Sequence, residues 1–274
     1  MRTRQVFAVG ALALALTLTG CGARPISGTP TADPQVFGNA QELVRAATNQ
    51  TAKAKSAKFA MEIAFGNQAM NGQGEGRFDG ENSAMQLSMT VGPVDEVLRY
   101  VDKTMYLQVP EQYRAQMTGG KPWGKVPQDS AIAQRMGTAQ AQQNDPSKVL
   151  QQIQEAGTIT RSAHETLDAQ PVTHYWIDVD LIKALDTFTD TGLSQDELRK
   201  LAGKQLIVPV ELWLNQDQLP VRITEDMSPL LKASSEAPAG MQSMKITVKY
   251  TDWGVPVDVQ APPADQVGEL KLPN

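Results

Sequence analysis

The chain reads as an α+β protein in which a curved antiparallel sheet of about nine to eleven strands wraps over three to four helices. Three observations predict this. The apolar period is helical over residues 39–56 and then changes to two. The segments of period two follow one another as hairpins and a meander, twice, on either side of a Gln- and Ala-rich stretch. Most of them are apolar at alternate positions only, so one face of the sheet meets water, the other must be covered, and the short helices are the available cover.

Asn39 is placed to cap the first helix. Leu43, Val44 and Ala47 form its apolar stripe, and Lys53, Lys55 and Lys58 gather near its end, where cations suit the helix dipole. Phe59, Met61, Ile63 and Phe65 then alternate with smaller or polar residues, as do Met85, Leu87, Met89 and Val91. Each set predicts a strand with one apolar face. Between them Gly72, Gly74, Gly76 and Gly80 punctuate a further strand, with Arg77 and Phe78, that the glycines mark for a bulge or turn. Residues 97–101 and 105–109 flank Asp102-Lys103-Thr104 as a hairpin, Met105 and Leu107 alternating on its second arm, and a short extended piece surrounds Trp123.

Residues 129–157 contain few large apolar side chains. Asp145-Pro146 offers an N-cap with proline at the first helical position, Val149, Leu150 and Ile153 give a narrow buried stripe, and Gly157 can end the helix. Period two returns over residues 172–179. A short helix is expected at 181–185. Ser194-Gln195-Asp196-Glu197 has the capping-box pattern of a helix with Leu198 and Leu201 that Gly203 stops. Leu206, Val208, Val210, Leu212 and Leu214 alternate as a strand, residues 219–223 pair back through a turn at 215–218, and Met244, Ile246, Val248 and Tyr250 mark the last long strand.

Ahead of the fold, Arg2 and Arg4 precede a 13-residue apolar run from Val6 to Leu18, short of the roughly 20 residues that span a bilayer. Two small residues and the only cysteine follow. This is the order of a secretory signal peptide, and Leu18-Thr19-Gly20-Cys21 resembles a bacterial lipobox. The expected division is a lipoprotein signal peptide at 1–20, an acylated Cys21 with a Pro-rich flexible tether at 21–37, and one domain at 38–274. Two or more acyl chains, such as palmitate, on Cys21 give stable anchoring, whereas one holds weakly. Loss of residues 1–20 removes Arg2 and Arg4 and moves the formal charge from −5 to −7. A mildly acidic chain argues against nucleic acid as a partner. With Cys21 alone no internal disulfide staples the fold, so stability must come from a buried core and a hydrogen-bonded sheet.

The lipobox, the opening helix and meander, the hairpin Tyr100-Val101-Asp102-Lys103-Thr104-Met105-Tyr106, the Trp123 strand and the closing Tyr250-Thr251-Asp252-Trp253-Gly254-Val255-Pro256-Val257 with Ala261-Pro262-Pro263 carry a family resemblance. Over most of residues 39–268 the chain resembles the LppX/LprG-type lipoproteins of actinobacteria, whose fold is LolA-like. Residues 129–157 are longer than that pattern. The resemblance implies a strongly curved antiparallel half-barrel whose concave face and helices enclose an apolar cavity for acyl chains. It implies no catalysis, no cofactor, and a lipid-binding or lipid-carrying role at the extracytoplasmic face of the cell membrane. The cavity-lining candidates are Phe59, Met61, Ile63, Phe65, Met85, Leu87, Met89, Val91, Met105, Leu107, Leu212, Met244 and Ile246. Methionine suits a surface that accepts variable apolar shapes, although ordinary core filling has the same alternation. The expected partners are the membrane, through Cys21, a lipid or lipid-like ligand, and an envelope transporter or assembly protein. The alternative function is an envelope sensor or assembly protein with the same fold and no lipid carriage.

Catalytic and metal signals are absent from the sequence. His164 and His174 stand outside any H-x-x-x-H or H-E-x-x-H spacing, and His174 falls in a strand, where a hydrogen-bonded structural role is expected. No G-x-S-x-G elbow occurs. Asp178, Asp180, Asp186 and Asp190 lack the glycine and closing glutamate of an EF-hand loop, and Asp180 reads as a helix cap. The Asn49-Gln50-Thr51 sequon falls in the first helix and is discounted.

Overall fold

The computed structural model describes residues 36–79, 82–91, 94–127, 145–184, 206–233 and 243–271. The expected signal peptide, most of the expected tether, residues 128–144, the helix expected after Ser194, Asp186 and Asp190 lie outside them.

Helix α1 (Ala40–Ala54) starts as expected, with the Asn39 Oδ1 accepting the Glu42 N–H at 2.8 Å. Leu43, Val44 and Ala47 are buried, and Lys55 ends the helix in the left-handed conformation at φ 62°. The chain then meanders through β1 (Ser56–Phe65), β2 (Gln68–Arg77), β3 (Ala84–Val91), β4 (Val94–Val101) and β5 (Thr104–Gln108). Asp102 and Lys103 make the β4–β5 turn with φ 50° and 59°, the backbone twist that a two-residue hairpin requires. Helix α2 (Glu111–Met117) and β6 (Trp123–Lys125) follow. Asp145 caps α3 (Pro146–Ala156), which runs directly into β7 (Gly157–Leu167). Gly157 is extended there, not left-handed. Its value is closeness: a Cβ would stand 2.9 Å from the Ile153 Cα.

The second half comprises β8 (Gln170–Asp180), β9 (Ile207–Asn215), β10 (Pro220–Asp226), α4 (Ser228–Ala233), β11 (Met244–Thr251) and β12 (Val267–Glu269). The helix expected at 181–185 is a turn over residues 181–184, opened by the Asp180 Oδ1, which accepts the Ile182 N–H at 3.1 Å.

The twelve strands among the described residues form one sheet in the order β12-β6-β5-β4-β3-β2-β1-β11-β10-β9-β8-β7. Every pair is antiparallel except β12 on β6. Laid flat at about 4.8 Å per strand, such a sheet would be roughly 50 Å wide, whereas the 15-residue α1 is only about 22 Å long. Yet inward side chains from both halves of the sheet join α1 and α3 in one continuous core. The sheet therefore curls round the helices as an open half-barrel, with β12 and β7 at its free edges. Helix α3 packs along α1 and on β7 and β8, while α4 packs on β9 and β11.

The glycines of β2 correct the expected bulge. Pairing on both sides of β2 is in unbroken register, and Gly72, Gly74 and Gly76 stand opposite Met61, Phe59 and Ala57 on the inner face. A Cβ at Gly74 would lie 2.6 Å from the Phe59 ring, and one at Gly72 would lie 3.0 Å from both Leu87 and Met89. Without Cβ atoms, side chains of β1 and β3 close over β2, and the sheet can bend there.

Candidate apolar binding site

Register assigns the expected lining residues to the concave face. Phe59, Met61, Ile63, Met85, Leu87, Met105, Leu212 and Ile246 are buried there, and Phe65, Met89, Leu107 and Met244 are half-buried against the same core. The side chain of Val91 and the whole of Cys21 lie outside the described residues.

The concave face has two chemistries. On β8, β9 and β10 its apolar side chains include Tyr175, Ile177, Val179, Val208, Val210, Leu212 and Ile223, each at most 2% exposed. No methionine occurs in β7–β10. On β1, β2, β3, β5 and β11 the same face carries Met61, Met70, Met85, Met89, Met105 and Met244. With Met117 and Met227, all eight methionines among the described residues belong to this one interior. Their concentration on one half could have been read from the sequence. That the described helices pack chiefly on the other half could not.

The methionine half reaches solvent at the end where β1 turns into β2. Phe65 pairs with Met244, and Met70 with Ile63. The Met227 N–H donates to the Met244 carbonyl at 2.9 Å. Phe65, Met70, Met227 and Met244 are half-buried and continuous with the core, so they form an apolar rim.

Glu225 was not among the candidates. It stands opposite Ile246 on one side and Val210 on the other, so its side chain belongs to the concave face. It is 8% exposed, and no hydrogen bond or charge offsets the desolvation of its carboxyl. Burial pushes its carboxyl up to about 7. A buried polar group without a partner costs about 1–3 kcal/mol. Nearby, Tyr250 is 3% exposed, and burial, then the Asp145 and Glu225 carboxyls, push its hydroxyl well above its usual range. Burial also raises the Asp145 carboxyl, which accepts the Ser147 N–H at 2.9 Å. On α3 the buried Gln152 Oε1 has no hydrogen-bond partner. The alternation that carries Ile223 inward also carries Glu225 inward, which was the available signal.

The outer face carries a different constellation. The His174 ring lies 3.5 Å from Trp176 and 3.9 Å from Trp213, centroid to centroid. Arg161 covers Trp176 at 4.2 Å, and Arg222 covers Trp213 at 5.4 Å. The His174 Nδ1 is 3.0 Å from the Glu165 Oε1. Its Nε2 is 3.0 Å from the Glu211 Oε2, close enough for an ion contact but not aligned as a hydrogen bond. The Trp213 Nε1–H donates to Glu165 at 3.3 Å. The hydrogen bond from His174, against a smaller desolvation cost and with help from Trp213, holds the Glu165 carboxyl below its ordinary value. His174 thus has the hydrogen-bonded strand role expected of it, and its side chain is only 4% exposed. His164 is exposed on β7. Among the described residues no three metal-ligating side chains gather. A groove of about 730 Å³ also lies on this outer face, lined by Glu62, Asn71, Gln73, Ser88, Thr90 and Lys249 among others. Met61 and Met89, expected to line the acyl cavity, border it as well.

No family model matches the chain, and no curated protein does. Among solved structures it is similar to LprF from Mycobacterium bovis, at 14% identity over 81% of this chain and 96% of that one, with a TM-score of 0.47. The chain is also similar to a chain of the MucA/MucB complex of Pseudomonas aeruginosa, at 12% identity over 83% of this chain and 59% of that one, with a TM-score of 0.37. A third similarity is to a DUF1329 family protein from Desulfovibrio piger, at 10% identity over 81% and 96% of the two chains, with a TM-score of 0.34.

Proposed function

We propose that this chain binds the acyl part of a lipid in the methionine-lined half of its concave interior, without chemistry, while acyl groups on Cys21 hold it at the extracytoplasmic face of a membrane. The observation that carries this reading is the placement of the methionines. All eight described ones face the interior, and none lies on β7–β10.

An acyl chain gains about 0.8 kcal/mol for each CH₂ removed from water, but it is already apolar in a bilayer. A carrier need only offer comparable surroundings. Flexible methionine side chains can move aside and refill the space, whereas β-branched ones cannot. The rim of Phe65, Met70, Met227 and Met244 supplies the way in. No helix among the described residues is long and apolar enough to cross a membrane. In this reading the attachment is Cys21 alone, so Cys21→Ser should move the protein from the membrane fraction to the soluble fraction; continued sedimentation with membranes would refute the anchor.

The full burial of eight lining candidates favours a second reading, an envelope sensor or assembly protein with a filled core. Purification followed by organic extraction and lipid mass spectrometry separates the two. Lipid in near-stoichiometric amount, above a mock preparation, is expected for carriage. A level equal to the mock would leave the interaction protein.

A further inference from the structure

We propose that Glu225 is a polar anchor inside the interior, taking the hydroxyl group of a hydroxyl-bearing, long-chain lipid whose tail lies among the methionines. This rests on the acyl-binding reading above and adds the chemistry of the ligand's polar end.

Three features of the geometry converge. Register sets Glu225 on the concave face between Ile246 and Val210, with Ile223 preceding it on the same face of β10. It sits one inward row below the rim, because Phe65 pairs with Met244, two residues before Ile246, and Met227 follows Glu225 by two. It is also 8% exposed, and desolvation is the only influence that bears on its carboxyl. The carboxyl is thus the first charged group met on passing inward from the rim along β10 and β11.

The class of ligand follows from what such a carboxyl can use. A buried acceptor with no donor gains most from a group that brings one. A hydroxyl can donate to the ionised carboxyl and can accept from the protonated one, so it serves either form. An ammonium would also donate, but it would have to shed its hydration while passing an apolar rim. An ether or ester brings no donor. Tyr250 lies deeper on the same face, opposite Phe59, and the Asp145 and Glu225 carboxyls both bear on its hydroxyl, so the head is held just inside the rim while the tail lies among the methionines.

The test compares 1-hexadecanol with 1-methoxyhexadecane, which has the same chain and no donor. Dissociation constants of the purified protein for each are measured at about pH 9, where the carboxyl is ionised and can only accept. The wild type should bind the alcohol about tenfold more tightly than the ether, the worth of one well-made buried hydrogen bond. Glu225→Leu should bind both alike, with its affinity for the ether retained, and Glu225→Gln should keep a preference for the alcohol. Glu225→Met, closer in volume, replaces the leucine variant should that variant fail to fold. A wild-type ratio near one, with both probes bound, would overturn the anchor and leave the acyl-binding reading intact. A tenfold preference that survives in the apolar variants would also overturn it. Binding of neither probe by the wild type would overturn both.

Discussion

On β8, β9 and β10 the concave face carries Tyr175, Ile177, Val179, Val208, Val210, Leu212 and Ile223; helix α3 packs on β7 and β8, and α4 bridges β9 and β11. On β1, β2, β3 and β5 the same face carries Met61, Met70, Met85, Met89 and Met105 beside three glycines. Both halves are largely buried, so burial alone does not distinguish them. Side-chain stiffness does. Branched residues held in few rotamers make a surface with one shape, while methionines over a glycine strand make one that can be remade. The first half gives the fold its fixed frame; the second is where a guest chain can be accommodated at small cost.

Truncations on the two halves should therefore differ. Leu212→Ala should lose about 3–5 kcal/mol of unfolding free energy in urea titration, because its stiff neighbours cannot close the gap. Met85→Ala, at similar burial, should lose only about 2 kcal/mol, because flexible neighbours relax into the space. Equal losses, or the reverse order, would remove the distinction between the halves.

Glu225 sharpens the comparison through pH. Its carboxyl is raised from 4.5 to about 7 in the fold, so the folded state holds its proton more tightly than the unfolded state. The stability this provides is complete below the unfolded value and is lost as pH rises through about 7. Between pH 4.5 and pH 8 the wild type should lose about 3 kcal/mol relative to Glu225→Gln, as read from urea midpoints at each pH. Parallel curves would mean that the carboxyl is solvated. Glu165, on the outer face, acts in the opposite sense: its lowered value stabilises the fold above the ordinary carboxylate range and is lost as pH falls below it. With 39% of its side chain exposed, this effect is small.

Gly74→Ala tests the bend. The new Cβ would press on the Phe59 ring and the β3 backbone, and should cost about 2 kcal/mol in thermal or urea unfolding. A neutral result would show that the sheet does not need to close over β2 at that point.

Much of this architecture was legible in the sequence because alternation survives wherever one face is buried. The strands around Phe59, Met85, Met105, Leu212 and Ile246 were found that way, as were the Asn39 and Asp145 caps. Strand β7 was missed: Thr158 to Leu167 lies on an edge, and most of its side chains are exposed, so no apolar period marks it. Helix α2 buries no residue and α4 only Leu230, so neither leaves a stripe. The β2 glycines suggest a bulge or turn because an isolated sequence does not show that Phe59 and Leu87 need their space. At the site, the methionine face followed from periodicity, and Glu225 would have followed from continuing the alternation past Ile223. The His174 stack could not, since Glu165, Glu211 and Trp213 come together with it only through the pairing of β7, β8 and β9.

The most direct test of a soft half beside a rigid one is methyl NMR of protein labelled at methionine, leucine and valine methyl groups, titrated with 1-hexadecanol. The methyl signals of Met70, Met89, Met227 and Met244 should shift and saturate together, while those of Val208, Val210 and Leu212 stay in place. Methionine signals that do not move, or a response centred on β9, would contradict an acyl site in the methionine half.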